Sequence, residues 1–507
     1  RPVFRVQKRL FSWSKKNKLN VIVGMFHDQV LTPFKTLKNF LLVTLATLMF
    51  VFGTAKIASS KTVEIVMAAP DWPPTRFMQE YFNSNFPQSG DTEVKLTLDF
   101  IPWDTFYTNV AASLTSGEER YNMIVSDSQW LGAFIEGGYF QKLNKYIDAD
   151  PELQAIFDDM HQGYKEGYTT YPYKSENYYG FPQFPDNYVN FYRTDIFCNP
   201  DENAAFRAKY GKKLPCTYAD WEIVVWDDVF DINEFLTRKK GEMMAGKPLE
   251  DDIYGVTYQA GKAYDFSSMQ INGFFWQHGG DIWREDQQPD AQAEGVVNSD
   301  INVAALTKYL DLLGTMHPSH KTGGMGIFEM QALYLEGKIA SMINWVGLGA
   351  PVVDPKLSKV NDITGYARQP GTMQADGTIS RWANLGGQPF VMTTWMTDEE
   401  IEASFRVIKW WLSYDVQIAA VKAGGQSCMK SIIYSDGYNA LAPWNAAYVA
   451  SMDWQKDVWH IPEFFELLTQ QQEEFDKAIT GQQDAKTTLD NIAEFQQELL
   501  EEVDRIQ

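Results

Sequence analysis

Tryptophan and aspartate stand together where apolar runs stop. Asp71 and Trp72 follow KTVEIVMAAP, Trp103 follows KLTLDFIP, and Asp127 and Trp130 sit in YNMIVSDSQW. Farther along, Asp186 and Asn187 lie in GFPQFPDNYVN, Trp276 precedes two glycines in FFWQHGGDIW, and Trp345 closes ALYLEGKIASMINW. Arg381 comes just before NLGGQPFVM with its Gly386-Gly387 pair, and Gln426 follows Gly424-Gly425. Flat rings offer an apolar floor. Carboxylates, amides and a guanidinium offer a few convergent polar groups, and the glycines let backbone come close to a ligand. Such a set captures a small molecule without making a bond. Each position also has a purely structural reading: core packing for every Trp, an N-cap for Asp127, turn formation for Asp186 and Asn187, a bulge at Gly386 and Gly387. With 16 Trp in the chain most must be core or surface, and Trp410 and Trp411, mid-helix, read as core or interface.

Bond-making chemistry finds less support. There is no GxSxG elbow, no HExxH pair and no complete phosphate-binding glycine loop, since Gly337-Lys338 lacks the earlier glycine. His317 and His320 are separated by Pro318, which breaks the helix that would align them. Asp148, Asp150 and Glu152 hint at a calcium loop without its sixth-position glycine. No metal and no cofactor is expected. A glycosidase needs only two carboxylates, so 66 acidic residues leave that alternative open.

The elements that must place these residues read as an α/β order. Strands at 61–70 and 95–102, a helix between them, an amphipathic helix at 103–117 and a strand entering Ser126-Asp127-Ser128 make β-α-β-α-β. That order predicts a parallel sheet with ligands beyond the carboxyl ends of its strands, where Trp72, Trp103, Asp127 and Trp130 fall. Residues 221–241, 266–278, 302–316, 398–412 and 416–423 read as helices. Residues 253–260, 339–345, 363–367 and 389–396 read as strands. The stretch from about 462 is helical, acidic and Gln-rich, broken near Gly481. A second α/β lobe interleaved with the first fits this order.

At 507 residues, with 45% hydrophobic and 14% aromatic content, the chain supports two large lobes or three smaller ones. Its net charge is −22, and ten Lys or Arg against one Asp in the first sixty residues make the remainder more acidic still. Nucleic acid and anionic membranes are disfavoured partners. After a start at Met25, Lys35 and Lys38 precede the apolar run FLLVTLATLMFVFG at 40–53, followed by small residues. This is the layout of a secretory signal cleaved between Ala55 and Ser60, with an uncleaved anchor as the alternative. Export permits a disulfide. Cys198 and Cys216 flank one loop and would leave Cys428 over; free buried thiols are the other reading.

Seven of these blocks, in order, resemble extracellular solute-binding proteins of the carbohydrate-type family that serve ABC importers. They include WDTF, MIVSDSQWLGAFIEGGYFQKLNKYI, YYGFPQFPDNYVNFYRTDIF, FFWQHGGDIW, ALYLEGKIASMINW, NLGGQPFVM and FRVIKWWLSYDVQ. The resemblance implies a two-lobed periplasmic-binding-protein-like fold, each lobe a mostly parallel sheet flanked by helices, joined by crossing hinge strands. It implies residues 1–58 as upstream segment and signal, 59–187 as the first part of lobe one, 188–345 mostly as lobe two, 346–460 as chain returning between lobes, and 461–507 as C-terminal helices. Residues 180–187 would bend along the cleft and 188–192 would cross it. The ligand would be a sugar or polyol, with a Trp or Tyr on its apolar C–H face and polar groups on its hydroxyl rim. The partners would be ABC permease subunits, or a chemoreceptor in the alternative, with the protein a periplasmic monomer. The site would draw on Trp72, Trp103, Asp127, Trp130, Asp186, Asn187, Trp276, Trp345, Arg381, Gly386, Gly387 and Gln426. The family's lipid-anchoring Cys is absent here.

Overall fold

Alternation sets the first sheet. In β1 (Lys61–Pro70) Val63, Ile65 and Met67 point inward, and in β2 (Thr92–Ile101) Val94, Leu96 and Leu98 do so, while the intervening Lys, Glu and Thr face solvent or lie half-buried. Each such side chain, fully buried, stabilises by about 1.5–3 kcal/mol. The computed structural model describes residues 61–89, 91–284 and 292–505. The expected signal segment and its apolar run at 40–53 lie outside the described residues.

β1 pairs in parallel with β2 and with β3 (Met123–Val125), as β-α-β-α-β requires. The connecting helices are α1 (Pro73–Asn85) and α2 (Trp103–Ser116), the second closed by Gly117 in the left-handed region at φ 76°. The rest of the sheet comes from farther along the chain. β4 (Gly180–Asp186) and a late strand, Gly386–Met392, complete the order β2-β1-β3-late strand-β4, the last two pairings antiparallel. The second sheet is built from β5 (Tyr188–Arg193), β6 (Tyr254–Thr257), β7 (Ile339–Trp345) and β8 (Thr364–Ala367), in the order β8-β5-β7-β6. Only β6–β7 is parallel there. Both sheets are therefore mixed: parallel where helices connect strands, antiparallel where the chain arrives from the other sheet. The late strand is β9 below.

One residue, Asn187, separates β4 in the first sheet from β5 in the second. The expected bend at 180–187 is thus itself a strand, with the crossing compressed into a single residue. Its two prolines are tolerated because β4 is the sheet edge and its register with β9 shifts at Gln388/Pro389. Where the sheets meet, Gly386 lies opposite Asp186 and Trp345 opposite Tyr188.

The helix read over 221–241 is two helices, Tyr218–Trp221 and Trp226–Leu236, because Asp228 caps a second N-terminus at Val225. Three longer helices matter below: α3 (Phe266–Gln277), buried on every side, and the C-terminal α4 (Phe464–Ile479) and α5 (Ala485–Glu502), which turn at Gly481, φ 76°. α4 packs on α3, and Gln472 Oε1 accepts from the Ser268 N–H at 2.8 Å. Cys198 and Cys216 form a disulfide around the 199–215 loop, and Cys428 is a buried free thiol. Among the described residues no helix is long and apolar enough to cross a membrane.

Candidate ligand-binding site

The junction of the two sheets holds about 540 Å³ of space between its atoms, open mouth included. Trp72 reaches it from the turn after β1, Trp103 from the first residue of α2, and Asp127 from the turn after β3. Asp186 ends β4, Trp345 ends β7, and Gly386 and Gly387 open β9. Seven residues singled out in the sequence thus converge, drawn from both sheets. Gln129, Tyr264, Asp265, Phe266, Asn384 and Gln388 line the same space and were not singled out.

The rings hold one another edge-on. Trp72 meets Trp103 at 5.4 Å and Phe184 at 5.0 Å between centroids, both near perpendicular. Trp345 is backed by Tyr188 at 4.1 Å. The two edge-on contacts suit the quadrupoles of the rings and fix Trp72 in place. Close backbone makes room for them. A Cβ on Gly347 would stand 2.6 Å from Trp72 Cζ3 and 2.8 Å from Asp186 Oδ2, and one on Gly386 would strike the Trp345 ring. Gly387 sits at φ +93°, where a side chain is strained and would also strike Phe184 O and the Tyr168 hydroxyl.

Two carboxylates meet through a shared set of donors. Asp127 and Asp265 each occupy the N-cap position of a helical segment, yet neither side chain caps it. Tyr264 donates its hydroxyl to Asp127 Oδ2 at 3.0 Å, and Gln129 Nε2 donates to Asp265 Oδ2 at 3.1 Å. Trp130 Nε1 donates to the Tyr264 oxygen at 2.8 Å. Tyr264 has φ 49°, a left-handed conformation costing a non-glycine residue roughly 1–2 kcal/mol, which is the kind of strain found at binding sites. Burial pushes the Asp127 carboxyl up to about 6, helped by the neighbouring Asp457 charge and opposed by the donors Tyr264 and Gln129. Burial, then the Asp127 charge, holds Asp265 well above the usual carboxylate range. Asp186 is raised by burial as well, against the N–H groups of Asn187 at 2.8 Å and Gly347 at 3.2 Å. Asp457 is paired with His460 Nε2 at 2.8 Å.

The remaining expected residues lie elsewhere. Trp130 is fully buried against Phe106 and Tyr107 and acts on the site through Tyr264. Asn187 donates to Tyr448 O at 2.9 Å behind the cavity wall. Trp276 lines a separate groove with Trp283 and Trp382 and donates to Asp281 Oδ1 at 2.8 Å. Arg381 is buried and donates to the carbonyls of Gln369 and Glu222, its pKa lowered to about 10 by burial. Gln426 is buried beside Tyr438. Among the described residues no cluster of three His, Cys, Asp or Glu is placed to hold a metal ion.

Solved structures share this architecture. Maltose-bound MalE3 of T. maritima matches with a TM-score of 0.66 at 19% identity, over 86% of this chain and 99% of that one. An ABC transporter solute-binding protein from Agrobacterium vitis with bound D-mannitol matches at TM-score 0.67 and 18% identity, over 87% and 99%. One from Agrobacterium radiobacter in complex with ribitol matches at 0.65 and 21%, over 87% and 99%. No curated protein matches the sequence at a significant level. The family model for bacterial extracellular solute-binding proteins matches residues 69–418, and the chain belongs to that family.

Proposed function

We propose that this protein captures a sugar or sugar-like solute at the junction of its two sheets and delivers it to an ABC importer. The observation that carries this reading is the convergence of Trp72, Trp103 and Trp345 with Asp127, Asp186 and Asp265 on one space fed from both sheets. Rings cover the apolar face of a pyranose or an extended polyol, and carboxylates accept from its hydroxyls. A hydroxyl buried without a partner costs about 1–3 kcal/mol, so the aspartates set selectivity. The ligands named for the structural neighbours, maltose, D-mannitol and ribitol, belong to this chemistry.

Ligand contacts on both sides of the junction favour a closed form, because they are complete only when the lobes meet. The 187–188 crossing serves as a hinge, with lobe one beginning in residues 59–187, lobe two mostly 188–345, and 346–460 returning between them. The C-terminal helices α4 and α5 close the fold, α4 packing on α3 and, through Phe464 and Phe465, on Tyr107. The chain is exported to the periplasm by its N-terminal signal, acts as a monomer, and hands its cargo to permease subunits with no bond made or broken.

Calorimetric titration with maltose, D-mannitol, ribitol and D-glucose tests this. Binding at micromolar Kd or tighter to one of them, with the solute recovered intact, is expected. Cleavage of maltose or maltotriose by the pure protein would replace the reading with a two-carboxylate glycosidase. Failure of every sugar and polyol to bind would overturn it.

A further inference from the structure

The polar groups of this cavity are unbalanced. Three carboxyl groups line it, Asp127, Asp186 and Asp265, and among the described residues no Lys, Arg or His does. Three amide oxygens of residues on its wall, Gln129 Oε1, Asn384 Oδ1 and Gln388 Oε1, are buried and among the described residues accept no hydrogen bond. Those three side chains are 2%, 4% and 4% exposed. The Gln129 and Asn384 amides are oriented by their own donors: Gln129 Nε2 gives to Asp265 at 3.1 Å and Asn384 Nδ2 to Leu385 O at 2.7 Å. Against these acceptors stand two indole N–H groups without a partner among the described residues, Trp72 Nε1 and Trp103 Nε1.

A neutral sugar leaves this imbalance in place. Each hydroxyl brings one donor and two acceptor lone pairs, whereas an ammonium brings three donors and no acceptor. A cation also finds ring faces, at about 0.5–2 kcal/mol each when desolvated, and relieves the repulsion between carboxylates forced together in a buried space.

We infer that the solute taken by this site carries a protonated amine among its hydroxyls, an amino sugar or amino polyol, with the ammonium held between Asp127 and Asp265 in the space that Trp103 and Tyr264 also line. This rests on the solute-binding reading above and narrows it. The groups that face the pair are Tyr264 and Gln129 between them, Asp457 with its partner His460 beside Asp127, and Tyr188 beside Asp265. Tyr264, buried and hydrogen-bonded, stays a neutral donor. Burial raises both carboxyl groups, and the Asp127 charge raises Asp265 further, so an arriving ammonium favours their ionised forms.

Matched pairs test this on the unmodified protein: D-glucosamine against D-glucose and N-acetyl-D-glucosamine, and N-methyl-D-glucamine against D-sorbitol, titrated at pH 7. At least tenfold tighter binding of the amine in one set is expected. Repeating it in buffers of different ionisation enthalpy should show a fraction of a proton, up to one, released per amine bound and none per neutral sugar. In Asp127→Asn the amine preference should fall to threefold or less. Equal or tighter binding of the neutral partners would overturn the inference, and so would an amine preference that survives Asp127→Asn. Tight binding of a neutral sugar with the amines rejected would leave the solute-binding function standing; no binding of any sugar, polyol or amine would remove both.

Discussion

Gly347→Ala is the smallest change that reaches the centre of the site. The residue follows β7 in a short 3-10 turn, Val346–Leu348, and its added methyl meets two cavity-lining groups at once, the Trp72 ring at 2.6 Å and Asp186 Oδ2 at 2.8 Å. Ordinary contact begins at 3.4 Å, so ring and carboxylate must move by several tenths of an ångström, approaching 1 Å for the ring. Trp72 has little room to retreat, with Trp103 and Phe184 on it at 5.4 and 5.0 Å. Overpacking of this kind costs about 1–3 kcal/mol, offset by roughly 0.4–1 kcal/mol from the stiffer unfolded chain. A binding constellation tolerates about 0.5 Å of displacement, so affinity should fall about 10- to 100-fold, equivalent to roughly 1.4–2.8 kcal/mol. The assay is calorimetry with the tightest ligand found, paired with urea unfolding. Gly163→Ala is the control: it lies in a helix, and its methyl would meet His161 Nδ1 at an ordinary 3.7 Å. Adding Gly347→Ala to Trp72→Ala should cost less than half of what it costs alone, because the ring it pushes is gone. Wild-type affinity in Gly347→Ala, or full additivity with Trp72→Ala, would refute the placement of Trp72 as a ligand platform.

Asp127→Asn should stabilise the ligand-free protein at pH 7.5 and lose most of that advantage at pH 4.5. The folded pKa of about 6 lies above the unfolded 3.8, so the native state binds the extra proton and stability falls as pH rises between the two values. The shift of about two units corresponds to about 3 kcal/mol, read as the difference in urea midpoints, and an unchanged difference across that window would contradict the burial of this charge. Replacing Cys198 and Cys216 by Ser should lower unfolding free energy by about 2–4 kcal/mol while affinity stays within twofold, checked by urea melts and calorimetry. A thiol titration of the denatured, unreduced wild type should find one reactive thiol, Cys428. Trp345→Ala should weaken binding at least tenfold, whereas Trp276→Ala should leave monosaccharide affinity within about threefold, because its ring lies in another groove.

Local pattern carried most of the fold. β7 runs over 339–345 as read, α3 and Asp398–Trp411 start where the pattern puts them, and the break at Gly481 separates two helices. What alternation could not reveal was pairing across long separations. β9 joins the first sheet some 260 residues after β3, and nothing local to NLGGQPFVM says which sheet it enters. The same limit divides the site. Trp72, Trp103 and Asp127 follow strands of one β-α-β-α-β unit, so their convergence was legible. Trp276 and Trp345 both end an element near glycine, and only the sheet junction, invisible in one dimension, separates groove from cavity. Asp265 was missed although it precedes α3 just as Asp127 precedes its 3-10 turn; the N-cap rule applied to AYDFSS would have found it. Tyr264 had no such signal, since its role depends on a left-handed backbone.

A crystal structure of the protein with its tightest-binding solute measures the central claim most directly. The account predicts the ligand between the Trp72 and Trp345 rings, within hydrogen-bond distance of Asp127 and Asp265, with residues of both sheets touching it. A ligand seated in the Trp276–Trp382 groove, or against one sheet alone, would contradict it.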